Sequence, residues 1–314
     1  MTSPGPLHAV LVGGSGFLGR GLRHALVAGG HRVTVIGRGG SGLSDGDHRE
    51  VAWDAATLGP WTDSLDGADV VVHLAGRRVD CRPTAANIDS LIASREGTVR
   101  LVGEAIRRLD TPPRAWVQLS SLAIFGDTGD EVITEDTPPP LTGPRQQVEV
   151  CRRWEDAFHQ ASAGISRTVL LRPGIVIGGA GDPATRQLAR LARAGLGGAV
   201  GTGRQWVSWL AAADVFPLLA RAVTDPAMTG LYHLTGPAPA RNRDLMAAYR
   251  RAVGRRFGLP SPAPVTTVGA WLLGSDPALA LTGRRAVPQR LLDEGHRFTV
   301  TSVDDAVAAT VDEA

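Results

Sequence analysis

The feature that most narrows what this chain can fold into is a glycine-rich turn between a short apolar run and an amphipathic segment. Ala9 to Val12 reads as a β-strand and Phe17 to Ala28 as a helix, and the stretch joining them is Gly13-Gly14-Ser15-Gly16-Phe17-Leu18-Gly19. In such a strand–turn–helix unit the first glycine permits the tight turn, the second lets the backbone approach a pyrophosphate at the helix N-terminus, and the third lets helix and strand pack closely. The spacing therefore predicts a dinucleotide held at Gly13, Ser15, Gly16, Phe17, Leu18 and Gly19.

The rest of the chain supplies a context for that turn. Short apolar runs recur at Arg32 to Ile36, Glu50 to Trp53, Val70 to Leu74, Ala115 to Ser120, Thr168 to Leu171 and Leu231 to Leu234. Between them the periodicity predicts helices over Ala85 to Leu109 and Val148 to Ala161. This alternation is that of βα units feeding a parallel sheet, so the expected fold class is α/β, a Rossmann-type doubly wound parallel sheet. The rhythm breaks after Gly174, at Gly178 to Gly181, Gly195 to Gly203 and the Pro-rich Pro260 to Pro264. The expected domains are a dinucleotide-binding unit over 1–174, to which the strand near 231–234 returns, and a smaller discontinuous substrate lobe from 175–210 and 237–314.

Composition excludes several chemistries. All 33 basic residues among the 314 are Arg and none is Lys, which removes a phosphate-loop lysine, a Schiff base and any Ser-Lys or Tyr-Lys pair. The net charge of +2, without a long run of one sign, argues against nucleic acid as a partner. Cys81 and Cys151 are far apart, the eight His show no His-x-x-x-His spacing, and the N-terminus lacks a signal-peptide pattern. The expectation is a soluble, cytoplasmic protein with no metal and no membrane partner. The all-Arg, Ala-rich usage suggests a bacterial source of high GC content.

Cofactor choice is read at the end of the second strand. An NAD site places an acid there to accept from the ribose hydroxyls, but the chain has Ile36-Gly37-Arg38, followed by the small residues Gly39, Gly40 and Ser41. Arg38 suits the 2′-phosphate of NADP, an ordinary solvated arginine being the alternative. Asp54 is a candidate for the adenine amine or, equally, a cap for the next segment. Leu74-Ala75-Gly76 ends the fourth strand with small residues that let the backbone pass close to a ribose.

With Ser120-Ser121-Leu122-Ala123-Ile124-Phe125-Gly126 and Arg172-Pro173-Gly174, these elements resemble the extended short-chain dehydrogenase/reductase superfamily. Gly195-Leu196-Gly197-Gly198, the run Gly203-Arg204-Gln205-Trp206-Val207-Ser208-Trp209, and Asp214 are similar to its atypical, nucleotide-sugar-epimerase-like epimerase family. Thr235-Gly236-Pro237, Val287-Pro288 and Arg290 to Gly295 resemble the C-terminal domain of unknown function typical of that subgroup.

The resemblance implies that Ser121, five before Gly126, is the catalytic serine, a backbone-bonded serine being the alternative. It places Gln147 and Cys151 where active reductases carry Tyr and Lys, so both usual partners are absent. Cys151 acts only if its thiol pKa is lowered, and a buried inert cysteine is the alternative. It also sets a nicotinamide beside Pro173, Ile175 and Val176, and a substrate cavity near Phe125, Trp206 and Trp209, although both Trp suit a core equally well. Asp127, Asp130 and Glu135 are candidate acids or bases, with plain surface carboxylates as the alternative.

Three functions follow. The first is an NADP(H)-dependent oxidoreductase or epimerase-like enzyme acting on a small organic carbonyl or secondary alcohol. The second is a redox-neutral cyclase, dehydratase or isomerase, and the third a non-catalytic NADP(H)-binding sensor. The helices at 85–109 and 148–161 suit either a homodimer or a monomer. Arg38→Ala is expected to weaken NADPH binding far more than NADH binding; equal losses in a titration would remove the cofactor preference.

Overall fold

Apolar runs become the inner strands because a parallel sheet covered on both faces needs side chains that lose water on both. A computed structural model describes residues 5–39, 44–45, 48–178 and 181–311. The strands are β1 (His8–Val12), β2 (Arg32–Gly37), β3 (His48–Ala52), β4 (Val70–His73), β5 (Ala115–Leu119), β6 (Arg167–Pro173) and β7 (Gly230–Leu234). They pair in parallel in the order β7-β6-β5-β4-β1-β2-β3, with Ser44–Asp45 added antiparallel on the β3 edge. Every residue of β4 and β5 is buried. Strand order reverses at β1, flanked by β2 and β4, and the crevice beyond its carboxyl end is where this architecture binds ligands.

The helices are α1 (Phe17–Ala28), α2 (Ala85–Ile92), α3 (Thr98–Ile106), α4 (Val148–Ala161), α5 (Pro183–Arg193), α6 (Ala212–Thr224), α7 (Asn242–Ala252) and α8 (Ala263–Leu272). Helices α1 and α6 pack through Gly21, where an added Cβ would enter the Phe216 ring. Helices α3 and α4 pack through Gly103, where a Cβ would lie 2.7 Å from that of Ala161. Trp116 in β5 is fully buried and meets Phe158 of α4 edge-on at 5.6 Å.

One expectation changes. The helix read over 85–109 ends at Ile106 and is interrupted by a π-helical turn, Ala93–Gly97. The wide turn carries Arg95 inside, where Nη2 donates to the Arg77 carbonyl at 2.9 Å and the guanidinium lies 5.0 Å from the Trp154 ring.

A second core forms around Ile177, Trp209, Leu245, Tyr249 and Val307, from α5, α7 and the short helix Val303–Ala308. Parallel pairing of Ile175–Ile177 with Trp209–Ala211 and of Val132–Ile133 with Arg285–Ala286 ties it to the carboxyl end of the sheet. Asp214, at the start of α6, accepts from Thr299 N at 2.7 Å and Val300 N at 3.1 Å and so anchors the C-terminal segment. Gly40 and Ser41, Gly179 and Ala180 in the glycine break, and residues 1–4 and 312–314 of the expected domains lie outside the described residues. Among the described residues no helix is long and apolar enough to cross a membrane.

Two histidines are enclosed neutral. His73 meets Thr98 Oγ1 at 3.1 Å, His233 meets the Val287 carbonyl at 3.1 Å, and burial pushes both down to about 3. Below the ordinary histidine pKa the unfolded chain takes up protons that these rings refuse, so stability falls as pH drops from about 6.5 toward 3. Urea unfolding is expected to show a loss of about 2 kcal/mol per histidine between neutrality and about pH 5. His73→Gln should flatten that slope; an unaltered slope would show that His73 does not contribute to it.

Candidate dinucleotide and substrate site

The turn after β1 is built by backbone meeting backbone. Gly13 has φ +80°, and a Cβ there would lie 2.5 Å from Ala75 Cα, at the end of β4. At Gly19 a Cβ would run into the Gly14 carbonyl, so α1 lies directly on the turn. Gly16 is different: its backbone is extended, with φ −76° and ψ 179°, and a Cβ would meet nothing within 4 Å. It is the N-cap of a twelve-residue helix that lacks both a side-chain cap and an acidic residue in its first turn. Uncapped N–H groups and the positive helix end, facing open space, fit a pyrophosphate.

The neighbours of this cradle come from distant segments. Ser15 gives its carbonyl to Arg20 Nη1 at 2.7 Å, Phe17 meets Phe216 edge-on at 5.5 Å and rests on Gly178 and Gly181, and Leu18 packs on the main core. Arg38 follows Gly37, which borders the Ser15 hydroxyl; Arg38 is exposed and has no side-chain partner among the described residues. Leu74, Ala75 and Gly76 lie across the turn from Gly13, with Leu74 N bonded to the Val12 carbonyl at 2.8 Å.

Asp54 takes its capping alternative. Oδ1 accepts from Ala56 N at 2.8 Å and Thr57 N at 2.9 Å, and Oδ2 from Thr57 Oγ1 at 2.6 Å. The Thr57 hydroxyl, then these amides, hold its carboxyl below the usual range.

On the substrate side, Ser121 caps the short turn Leu122–Phe125, with Oγ accepting from Ala123 N at 3.1 Å. Its proton has no acceptor among the described residues and is available for a ligand. Helix α4 packs on this turn and carries Gln147, buried, with Nε2 3.4 Å from Thr282 Oγ1. Pro173 pairs with Leu234, Ile175 pairs with Trp209 and stays exposed, and Val176 packs on the main core.

Three expectations are corrected. Cys151 sits among Leu122, Ile124, Phe125, Ile133 and Ala286, and burial pushes its thiol up to about 12, so it keeps its proton at neutral pH and is not a catalytic group. Phe125 is 2% exposed, 5.3 Å under the Arg172 guanidinium and edge-on to His233, which makes it part of the core rather than a cavity wall. Trp209 is 1% exposed, with Nε1 donating to the Ala238 carbonyl at 2.8 Å, and belongs to the second core. Trp206 remains half-buried, with the guanidinia of Arg241 at 3.9 Å and Arg285 at 4.6 Å from its ring and Nε1 donating to Asp130 at 2.8 Å. Asp130 is thereby held below the usual carboxylate range, by the Trp206 bond first and then by Arg241.

Sequence reasoning missed a buried network beneath this site. Ser120 Oγ donates to Glu155 at 2.5 Å, and Glu155 takes Arg172 Nε at 2.9 Å and Nη2 at 2.7 Å. Glu135 is buried too, accepting from His233 N at 2.9 Å. The acid and the base of the ion pair were each visible in the sequence, but nothing local shows that they meet.

Fold and turn together define a doubly wound α/β protein with a glycine-rich turn at the strand-order reversal. The chain matches the NAD dependent epimerase/dehydratase family over residues 9–233 and a domain of unknown function, DUF1731, over residues 262–310. It belongs to that family and has the extended short-chain dehydrogenase/reductase fold. It is 28% identical over 307 residues to the epimerase family protein YfhF of Bacillus subtilis, covering 97% of this chain and 98% of that one. It is 30% identical over 310 residues to the epimerase family protein SDR39U1 of Bos taurus, covering 97% and 100%. The crystal structure of human epimerase family protein SDR39U1 with NADPH superposes with a TM-score of 0.84 at 26% identity, covering 98% of this chain and all of that one.

The two cysteines differ in access, Cys151 being buried and Cys81 half-buried. Iodoacetamide at neutral pH is expected to label native protein once, at Cys81, by mass spectrometry. Labelling of Cys151 at a comparable rate would contradict its burial and raised pKa.

Proposed function

We propose that the protein is an NADP(H)-dependent oxidoreductase or epimerase-like enzyme acting on a small organic carbonyl or secondary alcohol. The observation that carries this reading is the cradle of Gly13, Gly16 and Gly19, open where a pyrophosphate fits and bordered by Gly37, after which comes Arg38, whose guanidinium has no partner among the described residues. The NADPH in the crystal structure of human SDR39U1 supports the choice of NADP. In this reading the first-turn amides of α1 hold the pyrophosphate, Arg38 forks onto the 2′-phosphate, and the backbone at Ala75 and Gly76 passes the ribose. Backbone groups at 173–176 position the nicotinamide, which supplies or accepts a hydride when bound.

Ser121 then donates its free proton to the substrate oxygen, and Gln147 offers its amide without transferring a proton. The substrate lies between the 1–174 unit and the lobe of 175–210 and 237–314, in a monomer or homodimer. Orienting substrate against cofactor supplies much of the rate, because proximity alone offsets several kcal/mol of barrier.

A redox-neutral cyclase, dehydratase or isomerase is the second reading. One observation favours it: neither Gln147 nor Cys151, whose thiol is pushed up to about 12, exchanges a proton near neutrality. Reduced-nicotinamide absorbance during substrate screening separates an oxidoreductase from the redox-neutral reactions, since net consumption or formation of NADPH accompanies turnover only there, whereas an epimerase, cyclase, dehydratase or isomerase returns the cofactor unchanged. With a productive substrate, Ser121→Ala is expected to lower kcat/KM about a hundredfold while NADPH affinity holds. Unchanged turnover would remove Ser121 from the chemistry.

A further inference from the structure

Helix α4 turns Gln147, Cys151 and Glu155 inward, four residues apart on one face, and all three are buried. Three guanidinia gather along this stripe. Arg172 binds Glu155 and lies 5.3 Å from the Phe125 ring. Arg95, brought in by the π-helical turn, lies 5.0 Å from the Trp154 ring, with Nη1 toward the Leu91 carbonyl and Nη2 toward the Arg77 carbonyl. Arg284 comes from the segment joining Thr282, which contacts Gln147, to Ala286, which packs in the cluster holding Cys151. All three bear electrostatically on the Cys151 thiol.

Among the described residues only one of these cations has a counter-ion. Arg172 is paired with Glu155, although its Nη1 is buried without a partner. Among the described residues no carboxylate lies within ion-pair distance of Arg95, which is 8% exposed, or of Arg284. Asp127 acts on Arg284 only at longer range and is exposed, with Oδ1 taking Gly283 N at 3.2 Å. Burial pulls both guanidinia below the usual range. Arg95 is buried and Arg284 half-buried; a cation held out of water is costly unless an anion faces it, and the two aromatic rings fix the planes of Arg95 and Arg172 as a prearranged anion site requires.

We propose that Arg95 and Arg284, with the spare Nη1 of Arg172, form an oxyanion-binding site beside Cys151, and that the substrate carries a carboxylate or a phosphate held there. Planar guanidinium forks suit either group. The site stands one helical turn beyond Gln147 and against the turn that Ser121 begins, so an anionic group held here orients the reacting carbon toward the Ser121 hydroxyl. This deepens the enzymatic reading and rests on it for the word substrate. The cofactor phosphates are the competing claimants, since a Cβ on Gly76 would lie 3.3 Å from Arg95 Cζ.

Calorimetry tests this in two stages. NADPH is titrated first into wild type, Arg284→Gln and Arg284→Lys, each checked for an unchanged melting temperature. Phenylacetate and inorganic phosphate are then titrated separately into the NADPH-saturated proteins. One probe is expected to bind wild type in the millimolar range, about tenfold more weakly to Arg284→Gln, with partial recovery in Arg284→Lys and no change in NADPH affinity. Which probe binds distinguishes carboxylate from phosphate. The proposal fails if neither binds, if Arg284→Gln binds the probe as well as wild type, or if NADPH affinity falls in place of probe affinity. Absence of NADPH binding to wild type sinks the enzymatic reading alone; the probes are then titrated without cofactor, with the same dependence on Arg284 expected.

Discussion

The carboxyl end of the sheet depends on one close approach, the backbone of Gly13 against that of Ala75. With φ +80° and a virtual Cβ 2.5 Å from Ala75 Cα, position 13 admits no side chain. That contact lets the chain leave β1 toward α1 at the strand-order reversal, and it directs the α1 N-terminus over the crevice. Gly19 then allows the helix to settle on Gly14, while Gly16 is left with open space. Two glycines of the spacing serve packing, and one serves whatever enters the crevice.

Charge is arranged unusually beneath that crevice. A chain without lysine cannot place an adjustable amine on α4, and position 151 there carries a thiol raised to about 12. Guanidinia from elsewhere in the chain surround the position: Arg95 from the π-helical turn, Arg172 from β6, and Arg284 from the C-terminal segment. They hold charge across the working pH range and bind oxyanions in a fixed plane, but they do not exchange protons. The site is therefore better at orienting and polarising than at general acid–base work.

Much of the fold was legible in the sequence because its inner strands are apolar on both faces and Gly13 and Gly19 fall where only glycine fits. Helices 17–28 and 148–161 end where the periodicity ends. The candidate site was legible where a local pattern carries it, at Gly13, Gly16, Gly19 and Arg38. It was not legible where burial decides. Phe125 and Trp209 read equally well as cavity wall or core, and only packing with His233 or with Ala238 settles that. Arg95 shares a helix face with Leu91 and Val99, and nothing in the spacing shows that its guanidinium meets the Arg77 carbonyl and the Trp154 ring. The bonded pairs Ser120–Glu155 and Glu155–Arg172 lie 35 and 17 positions apart, and no spacing rule joins them.

The central claim is that a dinucleotide lies over Gly16, and one substitution isolates it. Gly16 has an extended backbone that any residue adopts and no atom near its missing Cβ, so Gly16→Val should leave the fold intact. Calorimetric titration of NADPH into wild type and Gly16→Val at matched melting temperatures should show binding to the first and a loss of about a hundredfold in the second. Equal affinity in the two proteins, or no heat with wild type, would contradict it.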